Sequence, residues 1–175
     1  MRIWTGVLTG ILAASIIMSS LFIYLGYGSG TLIVEMEDPP MDWGPASHVY
    51  INYSAIMIHR ADAANESGWL TVIEDGGEIN LTDVVKVSKP IGEEYLPAGK
   101  YNIIRFNVTS ALVTVDEANY TATVVNGRLN VPITRGGIQV NAGGTTHLVI
   151  DITPRITGSE AEGFRLVPAA KAAPG

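Results

Sequence analysis

The stretch His48-Val-Tyr-Ile-Asn-Tyr-Ser-Ala-Ile-Met-Ile-His-Arg60 alternates along its whole length, and its reading decides the fold class. In an extended chain successive side chains point to opposite faces. Val49, Ile51, Tyr53, Ala55, Met57 and His59 then share one face, and Tyr50, Asn52, Ser54, Ile56 and Ile58 the other. Apolar residues on both faces towards its end predict a strand with neighbours on either side.

Outward from this segment the same pattern recurs between turn signals. Residues 31–36, 69–73, 111–115, 120–125, 129–133 and 164–167 read as short strands. In residues 100–109, Ile104, Phe106 and Val108 point one way and Tyr101, Ile103 and Arg105 the other. In residues 147–153, Leu148, Ile150 and Ile152 point inward. Residues 79–87 fit a strand or a single helical turn. Turns are marked by Asp38-Pro39-Pro40, Glu74-Asp75-Gly76-Gly77, Leu96-Pro97-Ala98-Gly99, Gly136-Gly137 and Gly143-Gly144. Asn126-Gly127 predicts a tight hairpin, because both residues tolerate positive φ. About eight to ten strands at this spacing predict an all-β domain, an antiparallel sandwich or an open barrel. The leading expectation is a single antiparallel β-sandwich over residues 31–168, Ig-like or of a related sandwich class. Residues 169–175 read as a flexible tail.

Ahead of this domain, residues 3–34 carry no charged side chain. An apolar run of about 20 residues is long enough to span a bilayer as a helix. Residues 1–27 therefore read as a transmembrane signal-anchor helix, and residues 28–30 as a short linker. Arg2 precedes the run, whereas Glu35, Glu37, Asp38 and Asp42 follow it. Positive charge stays inside, so the N-terminus is expected in the cytoplasm and the domain outside the cell membrane. Trp4, Tyr24 and Tyr27 lie near the two ends of the run, where amphipathic rings favour the headgroup region. A cleaved secretory signal ending near Gly28-Ser29-Gly30 is the competing reading, and it exports the same domain. Gly6, Gly10 and Ala14 are spaced four apart, as at close helix–helix contacts in membranes. Small residues are also simply common in such helices.

Composition narrows the function. A formal net charge of −6 argues against nucleic-acid binding, and no polybasic patch is present for anionic lipids. The absence of cysteine removes disulfides, thiol catalysis, iron–sulfur ligation and attachment by a lipidated cysteine. Asn52, Asn65, Asn80, Asn107 and Asn119 each have Ser or Thr two positions on, which makes them candidate glycosylation acceptors. Asn65, in an expected loop, is the preferred one.

Chemistry is sparse. Met57 and His59 on one strand face, with Met36 and Met41 upstream, are ligands that suit copper, but His48 and His147 are far away in sequence. The acidic groups Glu35/Glu37/Asp38/Asp42 and Glu74/Asp75/Glu78 lack an established calcium-loop spacing. No serine lies in a nucleophile-elbow context. Asp151 on an apolar strand needs a partner, for which Arg105 and Arg155 are the candidates. Trp43 and Trp69 suit core packing or sugar stacking. The expectation is a non-enzyme with no cofactor and no metal site.

Several segments taken in order resemble a prokaryotic surface domain of unknown function, number forty-three eighty-two, found in archaea and bacteria. They are Gly30-Thr-Leu-Ile-Val34 with Asp38-Pro39-Pro40, and Ile56-Met-Ile-His59-Arg60 with Ser67-Gly68-Trp69. Leu96-Pro-Ala-Gly-Lys-Tyr101 with Ile104-Arg105 follows, then Val131-Pro132, Gly136-Gly137 and Ile150-Asp151-Ile152. The resemblance covers nearly all of residues 30–168. It implies a β-sandwich on the cell exterior and supplies no activity. The Leu-Pro-Ala-Gly-Lys-Tyr turn is also similar to those of transthyretin-like and carboxypeptidase-regulatory-like sandwiches, which are stalk, adhesin and binding modules.

The resulting expectation is a single-pass membrane protein, possible as a homo-oligomer, with an extracytoplasmic domain serving as an accessory subunit. Its partners are the lipid bilayer and proteins met through the membrane helix or a sheet edge. One alternative is a secreted filament subunit assembled by strand donation. Another is a carbohydrate- or metal-binding receptor domain.

Overall fold

A computed structural model describes residues 28–37, 43–84, 89–167 and 169–175. The expected membrane helix, with Gly6, Gly10 and Ala14, lies outside the described residues, as does the Asp38-Pro39-Pro40 turn. Among the described residues no helix is long and apolar enough to cross a membrane. They form an all-β structure with three short 3-10 turns.

The strands are β1 (Ser29–Glu37), β2 (His48–Arg60), β3 (Trp69–Ile73), β4 (Gly77–Asn80), β5 (Lys89–Pro97) and β6 (Gly99–Val115). They continue as β7 (Ala118–Val124), β8 (Arg128–Pro132), β9 (Ile138–Val140), β10 (Thr145–Ile152), β11 (Arg155–Ser159), β12 (Gly163–Val167) and β13 (Ala170–Pro174). One sheet has the order β13-β10-β1-β5. The other runs β11-β12-β7-β6-β2-β3, with β4 also on β2 and β8 and β9 also on β6. The sheets are not purely antiparallel as expected: β1 runs parallel to β10, and β7 parallel to β12.

The two longest strands, β2 and β6, form the spine of the larger sheet and pair almost end to end. Their register slips near Tyr53/Ala55, where Ser54 has no ladder partner. An extra residue in a ladder turns the following side chains to the opposite face. Val49, Ile51 and Tyr53 are therefore buried before the slip, and Ile56 and Ile58 after it. The single face expected for Val49 through His59 is thus split in two. A further slip at His59/Arg60 brings Tyr101 into the core, on the side of Ile104 and Phe106 rather than opposite them.

Shorter strands lie in series along the outer edges of this spine. β3 and β4 follow one another along β2, separated by the bend at residues 74–76. β7, β8 and β9 do the same along β6. The β6–β7 hairpin turns at Asp116 and Glu117, with φ of 48° and 68°. Asn126-Gly127 makes no hairpin. Both residues adopt positive φ, 61° and 58°, but the chain continues along β6 with a shifted register. The dipeptide supplies a kink because β6 is long enough to hold β7 and β8 in succession.

Leu32, Val34 and Met36 of β1 and Leu148, Ile150 and Ile152 of β10 are fully buried. They join Ile104, Phe106, Leu129 and Val131 of the larger sheet in one hydrophobic cluster. Each such side chain contributes roughly 1.5–3 kcal/mol by leaving water.

Residues 169–175 are not a frayed tail. β13 pairs antiparallel with β10 from Ile152↔Ala170 to Leu148↔Pro174. Ala172 is 1% exposed, and its carbonyl accepts the Thr134 amide at 2.7 Å and the Thr134 hydroxyl at 2.9 Å. This segment joins the two sheets along one side. Small side chains fit close to the core there, which a search for large apolar residues overlooks. Ala172→Asp is expected to lower stability by about 3 kcal/mol or more, since it buries an unpaired carboxylate. Chemical denaturation checks this, and an unchanged midpoint would restore the tail reading.

Candidate functional site

The outer face of the larger sheet gathers residues from distant segments. The slip at Ser54 turns Met57 and His59 outward, opposite Arg105 and Ile103 of β6. β3 brings Trp69 beside His59. The Arg105 guanidinium lies 3.7 Å from the Trp69 ring centroid and donates from Nε to Asn130 Oδ1 at 2.8 Å. It also stands 3.5 Å from the Glu66 carboxylate, while its own side chain is only 12% exposed. His59 meets Trp69 edge-on at 4.9 Å, and its Nδ1 lies 3.3 Å from Asn102 Oδ1. A Cβ at Gly68 would come within 2.8 Å of His59 Nε2, so the turn Asn65–Gly68 requires glycine to close over the imidazole. A cation over an aromatic face contributes about 0.5–2 kcal/mol, more when sheltered from water. Here the cation is already engaged by Trp69, Asn130 and Glu66, and the arrangement clamps the turn onto the sheet.

A second cluster lies at the turn into β6. Tyr101 is fully buried and donates its hydroxyl to the Pro97 carbonyl at 2.7 Å. Arg60, its ladder neighbour, makes a two-pronged contact with Asp62 at 2.9 and 2.8 Å. Hydrogen bonding to Arg60 holds the Asp62 carboxyl below the usual range. Burial pushes the Tyr101 hydroxyl above its ordinary value, against the opposing charge of Arg60. Burial likewise raises Tyr53.

The residues considered for metal binding are dispersed. Met57 Sδ accepts the Asn107 amide at 3.6 Å. His48 stacks on Tyr50, and His147 lies 3.5 Å from Glu35 on the other sheet. Met36 is buried in the core. Among the described residues no group of three His, Asp or Glu is placed to hold a metal ion. Asp151 pairs with neither Arg105 nor Arg155. Its partner is Lys171 at 3.2 Å, directly across the ladder on β13, in the segment that the sequence pattern predicts to be a tail.

The sequons differ in setting. Asn52 is half-buried, in the ladder between β6 and β4. Asn80 caps its own turn by accepting the Thr82 amide at 3.1 Å, and Asn107 is committed to Met57. Asn119 is exposed beside the β6–β7 turn, its Oδ1 accepting from Thr114 at 2.8 Å. Asn65 opens the turn over Trp69.

The feature that sequence reading missed is a cleft of about 520 Å³ where the two sheets meet opposite the β13 side. β3 ends the larger sheet and β5 the smaller, so both present strand edges that no described residue pairs. The cleft is lined by Val72, Ile73 and Ile91 and by Glu74, Asp75, Glu93 and Glu94. Ile73 packs against the backbone of Gly92, where a Cβ would collide with it. Tyr95, further along β5, is 73% exposed. The glutamates and glycine of β5 had only weak sequence signals, and nothing placed β5 beside β3.

Two outcomes test these clusters. In a double-mutant cycle, Arg105→Ala and Trp69→Ala are expected to couple by about 0.5–2 kcal/mol, read by urea denaturation. A neutral, buried Tyr101 contributes stability that is intact below pH 10.0, the ordinary phenol value, and is lost as pH rises through its elevated value. Tyr101→Phe should flatten that alkaline loss and cost about 1 kcal/mol at neutral pH, the hydrogen bond to Pro97 being gone. The chain matches no curated protein and no solved structure. A family described as a domain of unknown function (DUF4382) matches residues 29–168, which include both clusters, the cleft and every strand up to β12. The chain belongs to this family.

Proposed function

We propose that this chain is a single-pass membrane protein whose extracytoplasmic domain, a β-sandwich, does structural or binding work as an accessory subunit of a membrane or cell-surface assembly. One observation carries the reading. An uncharged apolar run, with Arg2 before it and only carboxylates for some distance after it, leads directly into β1 at Ser29. With so little chain between them, the domain stands against the bilayer and not on a stalk. The sandwich reading is supported by the alternating burial of both sheets and by their common core. The chemistry also favours binding or structural work over catalysis: the polar clusters are engaged with one another, and the cleft is a groove between strand edges.

Strand donation remains a second reading for one reason. β1 lies between β10 and β5 and contributes three fully buried side chains, Leu32, Val34 and Met36. A neighbour's N-terminal strand could make the same contacts in trans.

Labelling of intact cells with a membrane-impermeant amine reagent tests the placement. Exposed Lys100 is expected to react before lysis, and the mature protein to retain residues 1–27 on N-terminal peptide mapping. Reaction only after lysis overturns the exterior placement, and an N-terminus near Thr31 in large polymers favours strand donation. If the cell glycosylates exported asparagines, added mass is expected on the Asn119 peptide and not on the Asn52 peptide.

A further inference from the structure

We propose that the cleft between β3 and β5 binds an extended, lysine- or arginine-rich segment of a partner protein, added as a strand to the free edge of β5. The inference deepens the accessory-subunit reading and rests on it for the partner's existence, but not for the chemistry. β5 is bonded to β1 on one side, and no described residue pairs its other edge. Unpaired amides and carbonyls along such an edge can be completed by an incoming strand, whose alternate side chains fall on the two faces. On one face they would meet the cleft, with Ile73, Glu94 and the Gly92 backbone. On the other they would meet Glu93 and the 73% exposed ring of Tyr95. Tyrosine is a frequent anchor of protein interfaces, and an exposed one on the strand that offers its edge is placed to serve as one.

Charge selects the occupant. Glu74, Asp75, Glu93 and Glu94 border the cleft, and no basic residue lines it among the described residues. None of the four has an ion-pair partner there either. A second copy pairing β5 with β5 would bring Glu93 and Glu94 against their own counterparts, which is unfavourable for like charges directly opposite. A cationic strand meets the opposite sign at each of these positions.

The probe is a short fluorescent peptide alternating lysine and valine, titrated by anisotropy onto the full chain in mild detergent. Two further peptides accompany it: one with glutamate in place of lysine, and one N-methylated at alternate amides so that it cannot complete a ladder. The lysine peptide is expected to bind, to weaken as salt rises, and to protect amides within residues 91–96 from hydrogen exchange. The glutamate peptide should not bind, and N-methylation should weaken binding about tenfold or more. The paired substitution Glu93→Lys and Glu94→Lys should weaken it about tenfold, as should Tyr95→Ala alone, whereas Glu160→Lys with Glu162→Lys at the β11–β12 turn should not. Equal binding of the N-methylated peptide would reduce the effect to surface charge and overturn strand addition. Equal loss with the Glu160/Glu162 variant, or no binding, also overturns it. So does a concentration-dependent dimer that the Glu93/Glu94 variant abolishes, since the occupant is then a second copy. Peptide binding is measured on purified protein, so its failure is separable from a failed cell-surface labelling result.

Discussion

The ladder between β2 and β6 is the constraint from which the rest of the structure follows. Both strands are longer than any neighbour, so each offers more edge than one partner can cover. The chain covers that edge in instalments, β3 then β4 on one side and β7, β8, then β9 on the other. Successive instalments along one edge are joined by a kink, not a reversal: at residues 74–76, at Asn126-Gly127, and at Arg135 through Gly137, the last two with positive φ. The slip at Ser54 then decides what each end of the sheet exposes. It buries Ile56 and Ile58 in the core, and it places Met57 and His59 on the opposite face of the sheet, where Arg105 of β6 and Trp69 hold the turn Asn65–Gly68.

Much of this was readable from side-chain alternation. The period of two identified the strands, and the inward set of β10 was correct to the residue. What alternation could not supply was the position of a slip, because Ser54 differs little from any other small polar residue in a strand. Unpaired Ser54 reverses the faces of β2 from Ala55 onward, and a separate slip that skips Asn102 of β6 carries Tyr101 to the core side. Asn126-Gly127 predicts a hairpin because its local preference is the same in a hairpin and in a kink. Which of the two forms depends on whether the adjacent strand continues, and β6 does.

The candidate sites were legible in the same uneven way. Segments containing His59, Trp69 and Arg105 stood out individually, and the fold brings them together through pairings that span dozens of residues. The partner of Asp151 was missed because Lys171 lies in a stretch of alanines with no apolar bulk to announce a strand. The cleft was invisible because it exists only where two sheets end side by side. Ile73, Gly92 and Glu94 have no relation in sequence that would suggest it.

β1 occupies the middle of its sheet, bonded to β10 on one side and β5 on the other. It is also the element that receives any pull arriving through residue 28. A load directed along β1 acts as shear on both ladders together, so their hydrogen bonds and the buried contacts of Leu32, Val34 and Met36 resist in parallel. An edge strand pulled from one end would open bond by bond. The domain is therefore built to bear tension at the end where the chain enters it, and its rate of forced unfolding should be set by rupture of β1 as a unit.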